Sequence, residues 1–103
     1  MIISVAGVNV AYYSDVKKFY DKAISDPTWV PLVKLTPEPG NPYDPKAIFV
    51  TIDEVKIGYV AKAHQEDLIE HKPEVFCREK HASLYKWGKC GPDNDKFFIQ
   101  VEI

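Results

Sequence analysis

A chain of 103 residues has the size of one folded domain, and 46% hydrophobic with 27% charged residues is the composition of a globular protein with a core to bury. Lys and Arg number 13 against 15 Asp and Glu, and this net charge of −2 excludes broad, nonspecific duplex binding, which depends on neutralising many phosphates. No stretch approaches the roughly 20 apolar residues of a membrane-spanning helix.

From Ile2 to Val10 the alternation of Ile3 and Val5 predicts a strand, with Gly7 marking a bulge or a close backbone approach. Interrupted by Ser4 and Asn9 and lacking a basic leader, the segment does not read as a secretory signal. Ser14 is placed to cap a helix running to Ser25, with Val16, Phe19, Tyr20, Ala23 and Ile24 on one apolar face before Pro27 stops it. That helix is expected to cover an open end of the fold. A second reading leaves Tyr13 and Phe19 as an apolar patch for a partner protein or a second copy of the chain. β-Character resumes from Trp29 to Thr36, and Pro37, Pro39 and Gly40 break it.

The break leads into Asn41-Pro42-Tyr43-Asp44-Pro45. The prolines fix their own φ angles and push their predecessors out of the α region. Tyr43 and Asp44 therefore stand in a stiff, exposed turn at the mouth of the next strand. A ring beside a carboxylate, rigidly held, suits stacking on a base and accepting from one hydroxyl. The same residues also read as a plain proline-rich turn, with Tyr43 packed on its neighbours and Asp44 capping backbone N–H groups.

Ala47 to Ile52 and Val55 to Ala61 read as strands joined in a hairpin at Asp53-Glu54. Ile48, Val50 and Ile52 share a face of the first, and Ile57 and Tyr59 a face of the second. Lys62 to Lys72 reads as a short surface helix around Leu68 and Ile69, stopped by Pro73. Strands from Val75 to Trp87 and from Lys96 to Ile103 flank a Gly88 to Asp95 turn. In the last strand Phe97, Ile99, Val101 and Ile103 alternate with Phe98, Gln100 and Glu102. The predicted fold class is α+β, mostly β: a single domain over 1–103, forming a small OB-like or open β-barrel of five to six short strands with two helices.

The assembled pattern resembles the HIRAN domain, a small DNA-end-binding module of SWI/SNF-type fork-remodelling translocases that is also found alone or fused in bacteria. The residues carrying the resemblance are Leu32-Val33, Glu38 through Asn41-Pro42-Tyr43-Asp44-Pro45, Ala47-Ile48, Val50 and Lys56-Ile57-Gly58-Tyr59-Val60, with the Tyr12-Tyr13 pair upstream. It covers about two-thirds of the chain. The resemblance implies a groove for a single-stranded DNA 3′ end, with Tyr43 and one of the paired tyrosines, Tyr12 before Tyr13, stacking on the terminal base. Asp44 would accept from the free 3′-hydroxyl with Asn41 assisting, Lys62 would contact a phosphate, and Phe97 or Phe98 would supply a further ring. The translocase members carry an arginine immediately before the tyrosine pair; here that position is Ala11, which removes one contact.

Other constellations carry less. His71, Cys77, His81 and Cys90 lack the Cys-x-x-Cys knuckle of a compact zinc site, and Cys77 is expected to be a small core residue. Arg78, Lys80, Lys86 and Lys89 against Glu79 make a local basic stretch. Within it, Tyr85, Trp87 and Lys89 share strand parity, either as a nucleic-acid track or as packing over the barrel end. There is no Gly-rich phosphate loop and no nucleophile signature, and prolines separate Glu38 from Asp44, so neither an enzyme nor a cofactor is expected. With Cys77 and Cys90 the only cysteines, a reducing, cytoplasmic location is the expectation. The expected partner is single-stranded DNA or a DNA end, the alternative a peptide or partner protein in the same groove.

Overall fold

The computed structural model describes residues 1–103. Six antiparallel strands close into a barrel in the order β1-β4-β3-β2-β5-β6. They span Ile2–Ala6 (β1), Val33–Pro37 (β2), Ile48–Ile52 (β3), Val55–Val60 (β4), Lys80–Cys90 (β5) and Lys96–Glu102 (β6). Two helices, Tyr13–Ser25 (α1) and Gln65–His71 (α2), and two 3₁₀ turns, Lys62–His64 and Pro73–Phe76, complete the fold. The barrel is closed rather than open, and the short strand β1 closes it. Its first residues pair with β6 (Ile3 with Val101, Ser4 with Gln100), its last with β4 (Val5 with Val60, Ala6 with Tyr59). Closure leaves no strand edge free to template pairing with another chain.

Inward positions of β1, β2, β3, β4 and β6 meet in one core that includes Ile3, Val33, Leu35, Val50, Ile57, Ile99 and Val101, and β5 packs the partly buried Ala82, Leu84 and Trp87 against it. Helix α1 adds Val16 and lays Tyr13 and Tyr20 on Phe97, while Phe19 stacks on Trp29. It thus covers the barrel with a band of rings, and neither Tyr13 nor Phe19 is left as a free patch. Ile24, expected on the buried face, is 67% exposed, because the apolar stripe ends with Ala23. Leu68 of α2 and Val75 of the second 3₁₀ turn add to the same core.

The hairpin at Asp53-Glu54 forms as expected. Both residues have positive φ (48° and 70°), the conformation that matches strand twist in a two-residue turn. Asp53 also accepts from Trp29 Nε1 at 3.0 Å and from the Leu32 backbone at 2.9 Å, which fixes the segment leading into β2. Asn9 does similar work near β1. Its side-chain amide exchanges two bonds with the Phe97 backbone, at 2.8 and 2.7 Å, as a strand residue would.

Several boundaries differ from the sequence reading. The first strand stops at Ala6 because Gly7, at φ 88°, turns the chain away. Ser14 does not cap α1; the helix begins at Tyr13, with Tyr12 at the cap position and no side-chain cap bond. Val75 is buried in a 3₁₀ turn that Pro73 opens, not in a strand, and β5 starts at Lys80 and continues through Gly88 to Cys90. Cys77 follows that turn and is exposed, so it is no core residue. Two bulges reset strand parity. One, between Leu84 and Lys86, turns Trp87 in towards Tyr20 and Trp29 and leaves Tyr85 outside, so these two residues do not share a face. The other, where Val50 pairs Gly58 but Thr51 pairs Lys56, buries Ile57 and puts Tyr59 on the outer face with Lys56.

Candidate functional site

The loop between β2 and β3 is closed at its base by Glu38 N–H donating to the Ala47 carbonyl at 2.8 Å. Inside it, Asn41 organises the turn. Its Oδ1 accepts from the backbone N–H of Tyr43 (2.8 Å) and of Asp44 (3.0 Å), and its Nδ2 donates to Glu38 Oε1 (2.8 Å). This is the local pattern that Asn and Asp favour in turns, and the prolines on either side keep the backbone ready for it.

Glu38 in turn fastens the loop to β4. Oε1 accepts from the Tyr59 hydroxyl at 3.0 Å and Oε2 from Lys56 Nζ at 3.2 Å, while Lys56 also donates to the Tyr59 hydroxyl at 2.7 Å. The bonds from Asn41 and Tyr59 hold the Glu38 carboxyl below its ordinary range. Lys56 lies over the rings of Phe49 and Tyr59, 4.7 and 4.6 Å from their centroids. Burial there works against its charge, but the bonds to Tyr59 and Glu38 outweigh it and hold the ammonium above its usual range.

A groove of about 240 Å³ runs beside the loop, lined by Asn41, Tyr43, Asp44, Tyr59, Lys62 and Gln65 over a floor of Ala6, Ala47 and Val60. That is smaller than the roughly 300–1,000 Å³ of sites enclosing drug-sized ligands, and it suits one terminal group better than a length of strand. Tyr43 stands almost free, 92% exposed. Asp44 Oδ1 accepts from the Lys46 backbone N–H at 2.9 Å and Oδ2 from Gln65 Nε2 at 2.8 Å. The Gln65 bond foremost, then the Lys46 N–H and the charges of Lys62 and Lys46, keep this carboxyl below its ordinary range. The groove therefore presents an ionised acceptor beside an exposed ring, with Lys62 in its lining.

Of the residues marked in the sequence, Asn41, Tyr43, Asp44 and Lys62 come together in this groove. Tyr12 stands behind it, packed over Gly7 and 6.5 Å from the Tyr59 ring, centroid to centroid. Tyr13 turns the other way, onto Phe97 at 5.4 Å. Phe97 is buried, while Phe98 borders a separate outer depression with Gly7, Val8 and Asn9. The cations of β5 lie three strands from β4 in either direction round the barrel, on the opposite wall, and Lys89 sits over the Tyr20 ring.

Sequence reasoning gave no role to Gln65, Tyr59 or Lys56. Tyr59 and Lys56 belong to the motif that carries the resemblance, but the bulge that turns Tyr59 outward to join Lys56 has no composition signal. Gln65 is 21 positions from Asp44 and meets it only because the 3₁₀ turn after β4 swings α2 against the loop. As for metals, no three of His71, Cys77, His81 and Cys90 converge; Asp67, Glu70 and His71 do approach one another, exposed along α2. Both oxygens of Glu38 are engaged by Asn41, Tyr59 and Lys56, which separates it chemically from Asp44. No helix of the chain is long and apolar enough to cross a membrane. No family model, curated protein or solved structure matches the chain.

Proposed function

We propose that this chain is a non-catalytic HIRAN-like module that binds single-stranded DNA at its 3′ end. The observation that carries the reading is the convergence of Tyr43, Asp44 and Lys62 on one small groove in which Asp44 is held ionised. An ionised carboxylate accepts from a terminal 3′-hydroxyl. An internal nucleotide has no such donor and brings a phosphate instead, and like charges about 4 Å apart near a protein surface repel by several kcal/mol. Asp44 thereby selects ends over middles. Tyr43 supplies stacking, worth about 1–3 kcal/mol per base whatever the sequence, while Tyr12 backs the Tyr59 ring.

Lys62 in the lining, with Lys46 close enough to act on the Asp44 carboxylate, gives the site positive charge, which favours a nucleic acid over a neutral or basic peptide in the same groove. Ala11 offers no charge to a phosphate, so affinity rests on few contacts and falls near the micromolar range, roughly −8 kcal/mol. A cytoplasmic location is part of the proposal, and the free thiols of Cys77 and Cys90 suit a reducing compartment.

The test is fluorescence anisotropy of a short labelled deoxyoligonucleotide at about 50 mM salt, comparing a free 3′-hydroxyl with a 3′-phosphate. Tighter binding of the hydroxyl end, lost in Asp44→Ala, is the expected result. Equal affinity for both ends overturns the role given to Asp44. Binding to neither end, with reproducible capture of a protein partner, replaces the reading with that of a peptide adaptor.

A further inference from the structure

We infer that the groove reads a vicinal diol, through Asp44 and Gln65 together, and so prefers the ribose 3′ terminus of an RNA strand to the deoxyribose terminus of DNA. This rests on the end-binding reading above and names the sugar that the groove prefers at that end.

The orientation of the Gln65 amide is dictated by its neighbours. Its nitrogen donates to Asp44 Oδ2 at 2.8 Å and, more weakly, towards the Lys46 carbonyl at 3.4 Å. Both partners are acceptors only, so the nitrogen must face them and Oε1 must face away. Gln65 lines the groove, and none of its protein hydrogen bonds uses Oε1. The carbonyl oxygen shares one carbon with the nitrogen that touches Asp44, so only the width of one amide group separates it from the carboxylate. Each Asp44 oxygen accepts one bond, from Lys46 N–H and from Gln65, and keeps a second lone pair for a ligand.

The groove thus offers two adjacent acceptors, one charged and one neutral. A lone 3′-hydroxyl satisfies the first and leaves the second without a donor. A ribose end carries a 2′-hydroxyl on the neighbouring carbon and satisfies both, and that hydroxyl is what separates RNA from DNA at a given site. Deoxyribose turns a methylene towards Gln65 Oε1, displacing water from an acceptor without replacing its bond. In a groove open to solvent the difference is that of one net hydrogen bond, about tenfold in affinity. Any ribonucleoside bears the same diol, so a free nucleoside is the other source of this chemistry.

The experiment uses the full chain and 5′-labelled pentamers of one sequence that end in a 2′,3′-diol, a 2′-deoxy-3′-hydroxyl or a 3′-phosphate, with unlabelled adenosine as competitor. The expected order is diol, then deoxy, then phosphate, with about tenfold between the first two. Gln65→Ala, checked for folding by circular dichroism, removes the diol-over-deoxy ratio but keeps the hydroxyl-over-phosphate ratio that Asp44 provides. Equal binding of diol and deoxy ends, both above phosphate, overturns the diol inference and leaves the end-binding reading standing. A diol preference that survives Gln65→Ala overturns the role of Gln65. Binding to none of the ends overturns both readings. Displacement by adenosine as effective as by the pentamer supports the diol and assigns its source to the free nucleoside.

Discussion

The side-chain amide of Asn41 donates to Glu38 Oε1 at 2.8 Å, and that bond decides what Asn41 can do. With the nitrogen turned to Glu38, the oxygen faces the loop, where it accepts from the N–H groups of Tyr43 and Asp44. Two lone pairs meet two donors, so this oxygen has nothing left for a terminal hydroxyl. Asn41 shapes the groove, and the assisting acceptor assigned to it from the resemblance is better supplied by Gln65.

Asn41→Ala removes three hydrogen bonds in a partly exposed loop, a net loss of about 1–3 kcal/mol. A thermal melt should show a drop of about 4–8 °C for each kcal/mol, with weaker end binding because Tyr43 and Asp44 lose their scaffold. Asn41→Asp keeps the acceptor but sets a second carboxylate against Glu38, and at neutral pH it should melt at least as low. An unchanged melting temperature for both variants refutes the scaffold role.

Glu38 makes the same network sensitive to acid. Its carboxyl is held below its ordinary value of 4.5, chiefly by Asn41 and Tyr59. A carboxyl depressed in the folded state contributes stability that is fully present above the unfolded value and lost as pH falls through the folded one. The melting temperature of the wild type should therefore hold from neutral pH down to about 5 and fall below 4.5. In Glu38→Gln the melting temperature is lower at neutral pH and the gap to wild type closes as acid is added. A gap that stays constant across this range removes Glu38 from the acid response.

The alternating segments were legible from sequence because one face of each must be buried: β3, β6 and the hairpin at Asp53-Glu54 stand where periodicity and turn chemistry put them. Periodicity fails where a bulge inserts a residue. Tyr59 was expected to share a face with Ile57, and Tyr85 with Trp87, and in both places one extra residue reverses the parity. Closure of the barrel was hidden because it depends on β1 changing partners midway. At the site, Tyr43 and Asp44 were legible from the prolines that hold them. Gln65 was not, since its contact with Asp44 is made by tertiary packing of α2 and by no local pattern.

Gly58 is a position where the closed barrel tolerates no side chain. A Cβ built there meets the Ala6 carbonyl oxygen at 2.4 Å and Val5 Cγ1 at 2.8 Å, and the first of these is backbone. The carbonyl cannot move without parting β1 from β4 in the pairing that closes the barrel and floors the groove. Gly58→Ala should cost about 1–3 kcal/mol or more, read as a lower denaturation midpoint in urea. A midpoint equal to that of wild type means that β1 can shift freely, against the closure described here.

Two tyrosines separate binding from stability. Tyr43 is almost fully exposed and its side chain donates to no protein group, so Tyr43→Ala should leave the stability within about 0.5 kcal/mol of wild type. Loss of one stacked base should nonetheless weaken oligonucleotide binding by about 1–3 kcal/mol, roughly 5- to 150-fold. Tyr13 packs its ring on Phe97 at the edge of the core, so Tyr13→Ala should lose about 3 kcal/mol of stability, and the surviving folded fraction should discriminate between 3′ ends as wild type does. Calorimetry and anisotropy on the same two variants read both quantities. If Tyr43→Ala melts early, or binds as wild type does, Tyr43 is a packing residue of the turn and the stacking role fails; if Tyr13→Ala loses end discrimination while remaining folded, the ring on Phe97 belongs to the site after all.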